Sequence, residues 1–479
     1  MHKLGFLDAT FLYAETRSAP MNIGAVQLLE LPAGVSAGPF FEELRRFVGR
    51  RVGQIPFMTR RLKQTPLMLD QPVWIGAQDF DVARHVQRVV LPSPGTKRQL
   101  EATVARLHET PLDRHHPLWT FYYIEGLDSA FAAKGRTVVG WYCKYHHACI
   151  DGMAGQGIID VLFSEAPHVA SPILPTPPPE LEPTSADLLV DAGRNVLARS
   201  LTLAGQAAEQ WRAWSALSQR VMGGVQTLGA IAEQAPRTPF NVAVGPYRAW
   251  SMATLPLGTM RALAKSLHVT LNDIVLATCS AGLRTYLARA GGLPDASLIA
   301  GVPVSLRERG DKDMRNRVGM MLASLASDVA DPLARLMAIK QSTRVGKSLL
   351  AETRALQVED VHVPGLPLWM AGVAQTMERL KLANFFGGAM NVVISNVMGP
   401  VRTKYLNGAR MLTHYPVSIP AHGAAVNLTV QSYVDRLDLG VTGCLDALPD
   451  PDTLRDDIVE GWLELCHACG HADISRAVA

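Results

Sequence analysis

A chain of 479 residues exceeds the size at which one hydrophobic core keeps growing, so two domains are expected. Its 48% hydrophobic and 19% charged residues describe an apolar but globular protein. A formal net charge of +3, with no run of Lys and Arg, excludes the electrostatic footprint of a nucleic-acid binder.

From the N-terminus, the first fifteen residues are interrupted by Asp8 and Glu15 and do not read as a signal peptide. Nowhere does the chain show the roughly 18 uncharged apolar residues of a membrane span, which leaves peripheral attachment open. A strand is expected over residues 21–30. A helix is expected over 39–53, with Phe40, Phe41, Leu44 and Phe47 on one face, and another over 96–108. Residues 119–125 and 137–145 are rich in aromatic and β-branched side chains, the composition of strands. The second run leads directly into His146-His147-Ala148-Cys149-Ile150-Asp151-Gly152.

Residues 171–183 hold six prolines in thirteen positions, a polyproline-like spacer. An Ala-rich helical stretch follows over 185–234, capped by Ser185 and carrying Trp211 and Trp214. A second α/β half begins near Asn241, with strands expected over 251–257, 297–305, 391–396, 423–433 and 437–442. The expected division is therefore 1–170, a linker and helical crossover over 171–240, and 241–479. Two α/β halves of comparable size suggest an α/β (α+β) architecture with a site between the halves. Six cysteines read as reduced thiols of a cytoplasmic protein. Cys466 and Cys469 form a lone CxxC in an expected terminal helix, read as packing.

The HHxxxDG segment places an imidazole where a strand turns. An acid stands four residues after His147, and a glycine then frees the backbone. This suits general-base chemistry on a hydroxyl. The plainer alternative is a core histidine beside a surface one. Adjacent side chains on extended backbone point to opposite faces, so His146 and His147 do not easily share a metal ion. No HExxH helix or second His/Cys cluster stands nearby to complete a tetrahedral shell, and no metal is expected. Cys149 invites a thiol-nucleophile reading, but it fills a variable position of the pattern, and His147 can activate a substrate directly.

The motif resembles that of the acyl-CoA-dependent acyltransferases, and specifically the bacterial wax ester synthase/diacylglycerol acyltransferase family. Leu7-Asp8-Ala9-Thr10-Phe11 with Glu15, and Met21-Asn22-Ile23-Gly24, look like the family's N-terminus. Phe57 with Arg60-Arg61-Leu62 follows, and Pro117-Leu118-Trp119 precedes the motif at the expected interval. Leu271-Asn272-Asp273-Ile274, the segment Gly301 to Arg307, Ser395-Asn396-Val397-Met398-Gly399-Pro400, Asn427 and Ser432-Tyr433 continue the resemblance over nearly the whole chain. Met398 replaces a usual proline, and Asp435 stands near a usual basic residue or glycine. The DFGWG hallmark of the plant-type branch is absent.

The resemblance implies two chloramphenicol-acetyltransferase-like domains, mixed sheets flanked by helices, with a tunnel between them for acyl-CoA and acceptor. It implies His147 as the base that deprotonates the acceptor, with His146 bracing the loop from the other side. Acyl-CoA enters as substrate, and no cofactor or covalent enzyme intermediate is required. Polar side chains at the ends of apolar elements make Asn272, Ser395 and Asn396 candidate oxyanion donors, although Asn272-Asp273 after Thr270 also reads as a helix cap. Glu15 is a further substrate-binding or oxyanion candidate, and Gly152 a small residue that could lie against an acyl chain. Asp151 could polarise His147, but the resemblance favours a structural salt bridge to Arg307, which ends an apolar strand and would need an anion.

The expected activity is transfer of a long-chain acyl group to diacylglycerol, a long-chain alcohol, or both. The expected location is cytoplasmic, at the inner face of the membrane or at lipid droplets. Residues 185–234 and 364–386 are candidate interfacial helices. Alternatives are a related acyltransferase such as a peptide-condensing domain, a non-catalytic lipid-binding or droplet protein and, more distantly, a metal hydrolase.

Overall fold

The computed structural model describes residues 2–132, 135–150, 155–167, 182–195, 235–305, 318–353, 365–385 and 388–470. Asp151, Gly152, Trp211, Trp214, Arg307, Phe386 and most of the proline-rich spacer lie outside these residues, and so does the expected Asp151–Arg307 pair.

Seven strands precede the linker: β1 (His2–Lys3), β2 (Asn22–Glu30), β3 (Arg60–Lys63), β4 (Val73–Gly76), β5 (Val86–Val90), β6 (Trp119–Glu125) and β7 (Val138–His146). The rest are β8 (Arg248–Pro256), β9 (Ile299–Ser305), β10 (Val318–Ser324), β11 (Val392–Val397), β12 (Tyr405–Leu406), β13 (Ala409–Met411), β14 (Tyr415–Val417), β15 (Val426–Tyr433) and β16 (Arg436–Cys444). Every residue of β6 and β7 is buried, which is why neither alternates apolar with polar: both faces of these central strands are covered.

One sheet runs β12-β13-β2-β7-β6-β5, with β14 also on β2; the other runs β10-β9-β11-β15-β16-β8; β1-β4-β3 form a small third sheet. The pairs β5/β6, β9/β11 and β11/β15 are parallel and their neighbours antiparallel, so both large sheets are mixed. The expected division at residue 241 splits the chain but not the sheets. Strands β12 to β14 belong to the second half in sequence, yet they extend the first sheet beside β2. They cover an edge that would otherwise present unpaired backbone groups. Where β14 crosses β16, Gly440 leaves no room for a side chain, because a Cβ there would collide with the Pro416 carbonyl oxygen. Trp250 Nε1 donates to that same oxygen at 3.0 Å.

Helix Ala37–Gly49 buries Phe40, Phe41, Leu44 and Val48. Phe47 sits at the edge of this face, with the Arg51 guanidinium 3.6 Å from its ring centre. Helix Lys97–Glu109 opens on a Thr96/Gln99 capping box. The helix over 185–195 is capped by Thr184 and not by Ser185. Thr184 Oγ1 accepts the Asp187 N–H at 3.2 Å, and the Asp187 carboxylate accepts the Thr184 N–H at 2.8 Å. The halves also meet along a polar seam, where the buried Glu101 accepts Ser251 Oγ at 3.0 Å and the Met252 N–H at 2.9 Å.

Candidate active site

His146 ends β7, and His147 opens the 3-10 turn His147–Cys149. Strand alternation sends their rings opposite ways. His146 is fully buried. Its Nδ1 accepts the Ala148 N–H at 3.0 Å, so its proton sits on Nε2 and is donated to Glu15 Oε2 at 2.9 Å. Glu15 also accepts from Arg114 Nη2 at 3.0 Å and from the Met21 N–H at 3.1 Å. Burial pushes the Glu15 carboxyl up, but the hydrogen bond and electrostatic pull of His146, with the charge of Arg114 and the Met21 N–H, outweigh it and bring the pKa down to about 2. Glu15 is therefore a fixed carboxylate that braces the motif from behind. Its oxygens are committed to three donors, and it does not line the cavity that His147 faces.

His147 is half-buried, and its N–H donates to the Met21 carbonyl at 2.8 Å. Its imidazole stacks on Phe11 of helix Phe6–Ala14, with ring centres 3.9 Å apart and planes at 5°. The side chain forms part of the wall of a cavity between the two sheets. Ile23, Ala25, Gln27, Cys143 and Tyr145 line it from the first sheet, and Ile158, Ile159 and Leu162 from helix Gly155–Leu162. Ser395, Val397, Thr429 and Gln431 contribute from the second sheet, and His414, Val417 and Ser418 from the crossing segment.

Of the candidate oxyanion donors, Ser395 shares this wall with His147. Asn396 follows it on β11 and so faces the other way. Asn272 is the second residue of helix Leu271–Arg289 and is not in the wall. The segment around it serves the helix start: Thr270 Oγ1 accepts the Asp273 N–H, and the Asp273 carboxylate accepts the Thr270 N–H at 2.8 Å and Thr343 Oγ1 at 2.8 Å. Cys149 is buried, and burial pushes its thiol well up, away from the thiolate a nucleophile needs. Cys466 packs in the second core. Three wall or supporting residues, Phe11, Gln27 and His414, carried no signal of function in sequence. Phe11 lies within a segment that carried the resemblance, but nothing there marked it as the ring under His147.

The arrangement presents an imidazole and several hydroxyls to a largely apolar cavity. Residues 4–275 match the family model of the wax ester synthase/diacylglycerol acyltransferase catalytic domain, and residues 314–465 that of the WS/DGAT C-terminal domain. The chain belongs to the wax ester synthase/diacylglycerol acyltransferase family. As a WS/DGAT protein it is an O-acyltransferase. It is 34% identical over 473 residues to a Mycobacterium tuberculosis protein named as a probable diacylglycerol O-acyltransferase, tgs2, covering 97% of this chain and 98% of that one. The solved wax ester synthase/diacylglycerol acyltransferase from Marinobacter aquaeolei VT8 superposes with a TM-score of 0.68 at 28% identity, covering 98% of this chain and 100% of that one. The starter condensation domain of rhizomide synthetase RzmA, solved with C8-CoA, shares the fold alone. Its TM-score is 0.54 at 14% identity, over 98% of this chain and 95% of that one.

Proposed function

We propose that this WS/DGAT protein transfers a long-chain acyl group from acyl-CoA to the hydroxyl of diacylglycerol, of a long-chain alcohol, or of both, to make neutral storage lipid. The observation that carries the reading is the His147 ring, stacked on Phe11 in the wall of a cavity lined by both sheets, with its backbone N–H fixed by the Met21 carbonyl. An unactivated alcohol yields almost no alkoxide at neutral pH, so the attack needs a base at the hydroxyl. His147 takes that proton as the oxygen bonds to the thioester carbon. Ser395, a hydroxyl in the same cavity wall, donates to the oxyanion. The intermediate then collapses, the carbon–sulfur bond breaks, and the CoA thiolate takes the proton back from His147. Residues 1–170 and 241–479 act as two acyltransferase halves around the cavity, joined by 171–240.

The acceptor and product are insoluble lipids, and among the described residues no helix is long and apolar enough to cross a membrane. The protein therefore draws substrate at the cytoplasmic surface of a membrane or at a droplet, as a peripheral binder. The deciding assay offers labelled acyl-CoA with diacylglycerol or a series of long-chain alcohols to the purified protein and to His147→Ala. Ester formation by the wild type that His147→Ala loses is the expected result. No ester from any acceptor, or equal turnover by the variant, overturns the proposal.

A further inference from the structure

The cavity wall changes character along its length. His147 stands at the level of Met21, whose carbonyl takes its N–H. Gln27 lies six residues further along β2, a span of roughly 20 Å at the rise of a strand. Between them the first sheet offers Ile23, Ala25 and Cys143. His414 is level with Gln27, because the next residue, Tyr415, pairs with Val26. Gln431 joins them: it pairs with Asp438, and Asp438 Oδ2 accepts the His414 N–H at 2.6 Å. A second, polar station thus sits at the end remote from the motif.

His414 lines the cavity and is 4% exposed, yet no described residue bonds either ring nitrogen, and Nδ1 is sealed from solvent without a partner. Burial brings this imidazole down to about 3, so it is neutral at physiological pH, with one nitrogen to accept and one to donate. Among the described residues the Gln27 oxygen meets only Cys143 Sγ, at 3.7 Å. A purely hydrocarbon chain end placed here would leave these buried polar groups unsatisfied, whereas a hydroxyl would satisfy them.

We propose, resting on the acyltransferase reading of the same cavity, that its far end is a subsite for a hydroxyl carried on the distal part of a long aliphatic chain, read by His414 with Gln27 and Gln431. The chain belongs either to the acyl donor or to the alcohol acceptor. A site built to hydrogen-bond a hydroxyl discriminates far more strongly than one that measures length.

The test has two arms in competition assays: stearoyl-CoA against stearoyl-CoA hydroxylated in the distal half of the chain, and a long-chain alcohol against the matching diol. Wild type should favour the hydroxylated partner in one arm by about tenfold in kcat/KM. The arm that responds identifies the source of the chain. His414→Leu should reverse that ratio, and Gln431→Leu should lower it, which keeps the test decisive if His414→Leu fails to fold. His414→Gln, which keeps a donor and an acceptor, should retain part of the preference. Thermal stabilisation by hydroxystearate and stearate reads the subsite without turnover. If no chain is transferred but hydroxystearate still stabilises wild type more than His414→Leu, the subsite stands and the catalytic reading falls. Active enzyme that prefers plain chains in both arms, with an unchanged ratio in His414→Leu, overturns the proposal.

Discussion

The two motif histidines share one dipeptide but differ in every physical respect. His146 is locked between the Ala148 N–H and Glu15, whereas His147 offers its ring to a cavity. Replacing His147 by Ala should therefore lower kcat by roughly 100- to 10,000-fold, the usual loss of a general base, with little change in melting temperature. Replacing His146 by Ala should do the reverse, lowering the melting temperature while leaving measurable turnover, because it strips a donor from a buried carboxylate. Paired assays of kcat and thermal unfolding check this, and a His146→Ala variant of wild-type stability but no activity would contradict it. Glu15 makes a separate prediction in pH. Its folded pKa, brought to about 2, lies below its unfolded value, so its contribution is complete above about 4.5 and is lost as pH falls towards 2. A shift of this size corresponds to on the order of 3 kcal/mol. Urea unfolding of wild type and Glu15→Gln across this window should show wild type losing its advantage as the solution is acidified. Parallel curves would count against the bracing role.

Helix Leu366–Arg379 shows what an element adds. It packs Met370 and Ala371 against the first core but leaves Leu368 57% and Trp369 65% exposed. Leu380 and Phe385 follow it into solvent, and Arg379 and Lys381 are exposed beside them. Apolar side chains next to cations suit the headgroup region of an anionic membrane better than water. Trp369→Ser combined with Phe385→Ser should weaken co-sedimentation with anionic vesicles and leave activity on detergent-dispersed substrate intact. The proposal for this helix fails if wild type stays in the supernatant with and without vesicles. Of the other candidate interfacial stretch, residues 196–234, with Trp211 and Trp214, lie outside the described residues.

At the scale of the whole molecule, the cavity exists because the two sheets are held together, and Glu101 is central to that seam. It accepts from both Ser251 and the Met252 N–H, with Arg455 at 3.5 Å. Glu101→Ala leaves these buried donors without their acceptor and should cost about 1–3 kcal/mol in urea unfolding. It should also reduce transfer, since His147 and Ser395 approach the cavity from opposite sides of the seam. Unchanged stability would show that the seam does not depend on this residue. Much of the architecture was legible in order along the chain. The strand over 119–125 is found as expected, and β7 one residue later than expected, because a dense aromatic and β-branched run leaves few other options. The histidine pair was legible too, since period-two alternation alone separates the two rings. Strands β12 to β14 were not, being two or three residues each and too short for any periodicity, with β13 and β14 paired to β2 almost four hundred residues away and β12 joined through β13. For the same reason Gln27, His414 and Gln431 carry no common signal in sequence. Local pattern determined the long aromatic and β-branched strands such as β6 and β7 and which histidine faces which way. Only the crossing of a late segment into the early sheet decided what else lines the cavity, because contacts between distant residues leave no period in the chain to read.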